Sequence, residues 1–269
     1  MSRALADNGV HVWLGFENLL DDPANAARFT SLMSQDELVR DRRFLVEPAR
    51  RLHRLARGMQ REVLASYLPG TSPRELEFVN GPAGRPALAA PHDASGLDFN
   101  LAHTRGLVVL AVARGATVGI DVEIYEKNVP LEVARRFFSG VEADTLQALP
   151  GDAQPRRFLR LWTLKEAYLK AVGTGIAGGL EGMTFRIDEQ GGCNFERATD
   201  PLAARWSFSQ FDVGARHVVA LALLPARESA MGAAIEWHEF GGAAPPAAVG
   251  IHSLIARQGG LRQEQRAEP

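Results

Sequence analysis

The stretch "LWTLKEAYLKAVGTG", residues 161–175, decides how the second half of the chain folds. Its apolar residues recur at helical spacing, which predicts a helix that ends at Gly173 and buries the face with Phe158, Leu161, Trp162, Leu169 and Val172. Glu166 and Lys170 lie one turn apart at the edge of that face, either as a surface ion pair or as side chains that reach into a cleft. Lys165 falls inside the apolar face, so it must extend to the surface, pair with a buried acid or reach a group through a gap in the packing.

A second unusual stretch is "TVGIDVEIY", residues 117–125. Strand alternation directs Gly119, Asp121 and Glu123 to one face and the valine and isoleucine side chains to the other. Neighbouring carboxylates repel each other, a cost that a cation usually offsets, and hard oxygen ligands suit Mg²⁺. With a third acid from elsewhere, Asp121 and Glu123 would form such a site. The alternative is a solvated strand face that carries two acids.

A third stretch, "FNLAHTRG", places His103 near the end of a strand. It follows the loop "NGPAGRPAL", whose glycines and prolines shape a tight turn that presents backbone N–H groups and Arg85, a combination suited to a nucleotide or phosphate. The alternative for His103 is an ordinary histidine at a turn. The loop matches neither the phosphate-binding Walker A pattern nor the dinucleotide fingerprint.

Composition excludes several classes of protein. The 269 residues are 46% hydrophobic and 23% charged, with a formal net charge of −2. This balance argues against a nucleic-acid binder, although residues 49–61 form an arginine-rich helical segment. The single cysteine, Cys193, excludes an internal disulfide and fits a reducing compartment. The sequence has no apolar run of about 20 residues, so we expect a cytoplasmic protein without a membrane span.

The distribution of elements predicts an α+β fold with two similar lobes, each a small antiparallel sheet packed on one long helix. We place the N-terminal lobe at residues 1–125 and the C-terminal lobe at 126–226, with no residue-level internal repeat between them. The stretches "GMTFRID", "ARWSFSQFD" and "RHVVALALLP" are predicted to be the strands of the second lobe. Residues 227–269 are rich in alanine, glycine, proline and polar residues, which predicts a largely disordered tail in which residues 235–240 dock back onto the lobes.

Two of these motifs together resemble a known family. "VGIDVE" (118–123), followed by "WTLKEAYLK" (162–170), resembles the paired signature of the 4′-phosphopantetheinyl transferases, in the large two-lobed class typified by the surfactin-synthetase-activating enzyme. "GRPAL" (84–88) and "FNLAHT" (99–104) resemble two further family segments, as does the basic region that begins at Arg40. The chain departs from the family pattern at Arg85, where lysine is usual, and at Ala102, where serine is usual.

The resemblance implies an activity, partners and site residues. Such enzymes move the phosphopantetheine arm of coenzyme A onto a serine of an apo acyl or peptidyl carrier protein and release adenosine 3′,5′-bisphosphate, with Mg²⁺ as cofactor. They are expected to be monomers whose lobes are related by a pseudo-two-fold axis. Asp121, Glu166 and Lys170 are the expected catalytic residues; the implied Mg²⁺ ligands are Asp121, Glu123 and Glu166, and the implied coenzyme A contacts are Arg40, Arg85, Asn100, His103 and Lys170.

Three points stay open at this level. Glu166 is a candidate general base, acting directly or through a metal-bound water. A Mg²⁺-dependent hydrolase or nucleotidyl transferase would show the same acids but need no carrier, and a non-enzymatic module for coenzyme A or a nucleotide would need only Arg40, Arg85 and His103. The resemblance leans toward secondary metabolism or a broad-range enzyme, and carrier recognition is expected between the lobes and around residues 131–138.

Overall fold

The computed structural model describes residues 3–7, 9–81, 84–126, 128–129, 131–175, 179–187, 193–227, 234–241 and, for the backbone alone, 251–255. The helices are α1 (Pro23–Leu32), α2 (Gln35–Arg43), α3 (Glu47–Ser66), α4 (Ala134–Phe137), α5 (Gly140–Gln147) and α6 (Gln154–Val172). The strands are β1 (Val10–Phe16), β2 (Phe78–Asn80), β3 (Pro86–Leu88), β4 (Leu97–Thr104), β5 (Leu107–Arg114), β6 (Ala116–Ile124), β7 (Thr184–Ile187), β8 (Cys193–Glu196), β9 (Ser207–Val213), β10 (His217–Pro225), β11 (Ile235–Glu239) and β12 (Ile251–Ile255).

Two four-stranded sheets dominate the structure. The first has the order β11-β1-β5-β4 and the second the order β12-β9-β10-β6. All neighbouring strands are antiparallel except β1 and β11, which run parallel. The pairs β2-β3 and β7-β8 form separate two-stranded sheets. The prediction of an α+β fold with two similar sheet-and-helix units is therefore confirmed.

The two sheets pack face to face, with α3 outside the first and α6 outside the second. Alternation along β1 shows how this works: Val12 and Leu14 enter the core between the sheets, whereas Trp13 joins the core beneath α3. Both faces of each sheet are buried in this arrangement. The central strands β5 and β10 are accordingly almost continuous apolar runs rather than alternating ones.

Strand pairing differs from the predicted sheets at two places. β6, which ends at the predicted lobe boundary, pairs with β10 and so belongs to the second sheet. β7, predicted as a strand of the second lobe, pairs only with β8 in its own small sheet. Local sequence marks a strand but not its partner, because hydrogen bonds between strands form over long separations in the chain. The lobe bounds at residues 125 and 226 stay a prediction.

The docking of residues 235–240 is confirmed. β11 pairs with β1, the Phe240 N–H donates to the Leu14 carbonyl at 2.8 Å, and the Phe240 ring lies 5.5 Å from that of Phe29. The backbone of β12 pairs with β9. The other parts of the predicted disordered tail, residues 228–233, 242–250 and 256–269, lie outside the described residues.

Helix α6 follows the sequence pattern with one exception. Phe158, Leu161 and Leu169 are buried as predicted, and the helix ends at Gly173, whose φ of 74° is the left-handed conformation that glycine adopts readily. Val172, predicted on the buried face, is 44% exposed because it lies in the last turn. None of the helices in the described part of the chain has the length and apolar character that a membrane span requires.

Lys165 pairs with a buried acid, one of the outcomes predicted for it. Its side chain is 0% exposed, and its Nζ lies 2.7 Å from Glu142 Oε2. It also donates to the carbonyls of Leu180 and Met183 at 2.9 and 2.7 Å. Three acceptors thus surround a charge that burial would otherwise make very costly, so Lys165 is a structural residue.

Candidate active site at the junction of the two sheets

A glycine brings α6 into contact with β6. A Cβ atom at Gly119 would lie 2.0 Å from the Ala167 carbonyl oxygen and 2.6 Å from the Ala171 nitrogen. Neither backbone group can move without shifting the helix, so only glycine allows this approach. The side chains that follow Gly119 on the same strand face are therefore directed at the surface of α6.

Asp121 and Glu123 are those following side chains, and both residues are buried, at 7% and 9% exposure. The opposite face of β6, with Val118, Ile120 and Val122, contributes to the core between the sheets. The predicted alternation is thus confirmed. The alternative of a solvated strand face is wrong, because α6 covers that face.

Lys170 reaches across from α6 to this strand. Its Nζ lies 2.6 Å from Asp121 Oδ1, with the lysine side chain 29% exposed and the aspartate side chain 9% exposed. The ion pair therefore joins the helix to β6. A lysine between a cleft and a buried carboxylate is suited to hold an anionic ligand next to that carboxylate.

Glu166 lies one helical turn before Lys170 and is partly buried. Glu166 Oε1 and Asp121 Oδ2 are both shielded from solvent. The convergence of Asp121, Glu123 and Glu166 on one metal ion stays a prediction. Hard carboxylate oxygens on facing elements still fit Mg²⁺, which commonly takes only one or two carboxylates and completes its shell with phosphate oxygens and water.

A groove rich in cations lies beside this region, on the first sheet's side. It has a volume of about 460 Å³, and we call it the cation groove after Arg40 of α2 and His53, Arg57 and Arg61 of α3. Of these the sequence analysis singled out Arg40 alone. His53, Arg57 and Arg61 are spaced four residues apart, so they follow one stripe of the helix, and that spacing was the signal that could have found them.

His103 connects the cation groove with Lys170. Desolvation lowers the pKa of His103, and the positive charges of Lys170, Arg57, His53 and Arg40 lower it further, in that order. These charges come from both sides of the junction, so His103 lies between them. A bound polyphosphate would reverse the effect of the cations and raise the pKa of His103, because it would neutralise their charge.

Arg85 and Asn100 form hydrogen bonds with other residues of the protein. Arg85 Nη2 bonds both oxygens of Asp98, at 2.9 and 2.7 Å, and the Val118 carbonyl at 2.9 Å. Asn100 Oδ1 accepts from the Ile120 N–H at 2.9 Å. Both side chains thereby hold β4 against the edge of β6. Arg85 also borders a different cavity, with Tyr168, Arg197 and Trp206, and the structure does not bring it into the cation groove.

Comparison with known proteins agrees with this arrangement. The sequence model of the 4′-phosphopantetheinyl transferase superfamily matches residues 117–222, which contain β6 and α6. The 4′-phosphopantetheinyl transferase HetI of Nostoc sp. is 38% identical over 175 residues, 64% of this chain and 72% of the relative. A phosphopantetheinyl transferase of Thraustochytrium sp. is 29% identical over 74% of this chain and 73% of its own.

The 4′-phosphopantetheinyl transferase Sfp of Bacillus subtilis is 29% identical over 63% of this chain and 73% of its own length. Such identity extends well beyond the two motifs, and it covers most of each relative. The chain with its acidic strand β6 and facing helix α6 therefore belongs to the 4′-phosphopantetheinyl transferase superfamily, in the class related to Sfp.

Proposed function

We propose that this junction catalyses Mg²⁺-dependent transfer of the phosphopantetheine arm of coenzyme A to a serine of an apo acyl or peptidyl carrier protein. As a member of the superfamily the chain is a 4′-phosphopantetheinyl transferase, with coenzyme A and carrier proteins as its partners. The proposal adds the metal, the site residues and the product, adenosine 3′,5′-bisphosphate. The observation that carries it is the contact of Lys170 with Asp121 beside the cation groove.

Coenzyme A presents two groups of negative charge, a 3′-phosphate on its adenosine and a pyrophosphate. We assign the 3′-phosphate end to Arg40 and Arg57 in the cation groove, because guanidinium groups bind phosphate with two parallel hydrogen bonds. Lys170 and His103, on the side toward β6, then face the pyrophosphate. Arg85 and Asn100 act indirectly by holding β4 against β6.

Asp121, Glu123 and Glu166 would hold Mg²⁺, whose chemical contribution when bound is to neutralise charge that develops on the pyrophosphate oxygens. The shielded oxygens of Asp121 and Glu166 would otherwise repel the anionic substrate. Lys170 offsets the charge of Asp121 in the structure described here. On substrate binding we expect the lysine to turn its protons toward a pyrophosphate oxygen.

The serine hydroxyl oxygen forms a bond to the β-phosphorus of the pyrophosphate, and the bond from that phosphorus to the bridging oxygen breaks. Adenosine 3′,5′-bisphosphate leaves with the electron pair of the broken bond. The proposed acceptor of the serine proton is Glu166, one helical turn before Lys170, either directly or through a metal-bound water. Lys170 and His103 stabilise the charge that accumulates on the leaving group.

The direct test is the intact mass of several apo carrier proteins after incubation with this protein, coenzyme A and Mg²⁺. We expect a gain of one phosphopantetheine group that disappears with EDTA or with Asp121→Ala. Glu126→Gln is the matched control, because Glu126 follows β6 but pairs with the surface arginines Arg105 and Arg216. Consumption of coenzyme A without a mass gain of the carrier would favour a hydrolase. Neither consumption of coenzyme A nor a mass gain would favour a binding module.

Cytoplasmic location and a monomeric state stay part of the proposal. Two sheet-and-helix units in one chain already place a cation groove beside an acidic strand, so the site needs no second copy. Light scattering coupled to size exclusion would test this. A dimer at the concentrations used for the transfer reaction would contradict it.

A further inference from the structure

We propose that His11, Glu236 and His238 form a second metal site, for a transition-metal ion such as Zn²⁺, where β11 joins β1. Each of these three described residues offers one ligand atom, and the three atoms all lie within 4.8 Å of one another. The site lies on the first sheet and does not depend on the proposed function of the junction.

Strand pairing builds the group. In the parallel pair β1-β11, His11 lies opposite Glu236 and Trp13 lies opposite His238. Residues two apart on a strand share a face, so Glu236 and His238 project to the same side as His11 and Trp13. The rings of His11 and His238 are accordingly 4.7 Å apart, and the ring of His238 stacks on that of Trp13 at 4.5 Å.

The distances between ligand atoms suit one ion. His11 Nε2 lies 3.3 Å from Glu236 Oε2, and His238 Nε2 lies 3.8 Å from the same oxygen. Two ligands at about 2.0–2.2 Å from a tetrahedral Zn²⁺ are about 3.3–3.6 Å apart. Small side-chain rotations would therefore complete the geometry. The Glu236 side chain is 62% exposed, which leaves the fourth position open to water.

A second layer of hydrogen bonds orients His11. The residue is 6% exposed, and its Nδ1 lies 2.7 Å from the Tyr67 hydroxyl. The Trp13 indole N–H donates to the same hydroxyl at 2.9 Å. When His11 Nδ1–H also donates to that oxygen, the lone pair of His11 Nε2 points at Glu236 and is available to a metal. Metal-binding histidines are typically held in this way through their other nitrogen.

His238 contributes an independent sign of a ligand. Its Nε2 is shielded from solvent and has no hydrogen-bond partner among the described residues. A buried polar nitrogen without a partner is costly, and a metal ion would satisfy it. Two imidazoles and one carboxylate favour zinc, nickel or copper, whereas Mg²⁺ prefers an all-oxygen set such as that of β6 and α6. The guanidinium of Arg3 lies 4.5 Å from the centre of the Trp13 ring.

The experiment uses the full chain without an affinity tag, stripped of metal with EDTA and desalted, and titrated with Zn²⁺ in a calorimeter. With excess Mg²⁺ present to occupy the junction, we expect one Zn²⁺ per chain to bind with micromolar or tighter affinity and to raise Tm by several degrees. Tyr67→Phe removes the group that orients His11 and should weaken Zn²⁺ binding roughly 10–100-fold. His238→Ala removes a ligand and should weaken Zn²⁺ binding more than that. His92→Ala, on a surface turn, is the matched control and should bind as the parent does.

Glu236→Gln provides a second ligand variant on an exposed side chain, so that the test does not depend on a folded His238→Ala protein. It too should weaken Zn²⁺ binding by more than tenfold, and Co²⁺ should give the absorption of a tetrahedral complex only in the parent and the control. Unchanged affinity in both ligand variants, or no Zn²⁺ binding at 100 μM or so, would overturn the proposal. Binding that is lost in Asp121→Ala instead would assign the ion to the junction and equally overturn it.

Discussion

The long helices of the two halves each bury one cation and neutralise it in the same way. Arg61 of α3 and Lys165 of α6 have side chains that are 3% and 0% exposed. Each pairs with the glutamate of a capping box at the start of an earlier short helix, Glu37 of α2 or Glu142 of α5. The two halves have no residue-level repeat in sequence, but they share this pattern of a buried cation paired with the glutamate of a capping box.

The match extends to the other contacts of the two cations. Each donates to the carbonyl of the residue fifteen positions later, Leu76 or Leu180, at 2.8 or 2.9 Å. Each also lies 5.3 Å from the centre of a phenylalanine ring, Phe78 in the first half and Phe138 in the second. Such agreement supports the pseudo-two-fold relation of the halves.

The difference between the pairs lies in their access to solvent. The Glu142 side chain is 2% exposed, whereas that of Glu37 is 15% exposed, borders the cation groove and lies 3.9 Å from Arg57 as well. One copy of the same arrangement is thus closed and structural, and the other opens onto a groove for ligands. We infer that the open pair borders the substrate-binding groove of the first half, whereas the closed pair has only a structural role in the second half.

The largest expected effect comes from breaking the closed pair. Lys165→Met leaves the Glu142 carboxylate buried without its cation, and removal of one partner of such a pair costs about 3–5 kcal/mol. Arg61→Met should cost less, because Glu37 keeps contact with water and Arg57. Urea denaturation of both variants measures the difference. An equal loss in the two would contradict the distinction between a closed and an open pair.

Lys170→Ala tests the second half in catalysis. We expect kcat to fall by about 100- to 1000-fold, the effect of losing one preorganised donor to developing charge. Arg40→Ala in the first half should instead raise KM for coenzyme A with a smaller change in kcat. Steady-state kinetics with one carrier protein separate the two parameters. Normal kcat in Lys170→Ala would return the residue to a purely structural ion pair.

Gly119→Ala tests how closely α6 must approach its sheet. The new Cβ would meet backbone atoms, so we expect a loss of about 1–3 kcal/mol in the free energy of unfolding together with reduced activity. The corresponding close approach in the first half is Gly15, whose Cβ would lie 2.7 Å from the Met59 sulfur. That flexible side chain can move, so Gly15→Ala should be milder. Thermal unfolding of the pair decides between these expectations.

The smallest effect is on the pH dependence of stability. Burial lowers the pKa of His53 in the first half and of His217 in the second below the ordinary value of 6.5. Below about pH 6.5 the unfolded chain therefore binds more protons than the folded chain. The free energy of unfolding thus keeps its full value above about pH 6.5 and decreases as the pH falls below it. Tm measured from pH 7.5 to 5.5 in EDTA should show this decline, and His53→Gln and His217→Gln should each reduce its slope. A Tm that rises toward pH 5.5 would contradict the sign.

Sequence periodicity was sufficient for the elements that frame the site. Alternation in "TVGIDVEIY" placed Asp121 and Glu123 on one face, and the helical pattern placed Lys165 inside the apolar face, where pairing with a buried acid was one of three possible outcomes. Both inferences hold because burial imposes a local period on the side chains. The same reasoning overlooked the stripe His53, Arg57 and Arg61, because a basic helix face is usually a solvated one.

By itself, the sequence thus determined which side chains face inward, where α6 ends and which family the motifs resemble. Tertiary structure alone decided that Lys165 pairs with Glu142, that Lys170 pairs with Asp121, and that β6 joins the second sheet. It also showed that Asn100 Oδ1 accepts from the Ile120 N–H and supports the edge of β6. The physical reason is that local periodicity encodes burial, whereas partners are selected by hydrogen bonds and backbone approaches between segments far apart in the chain.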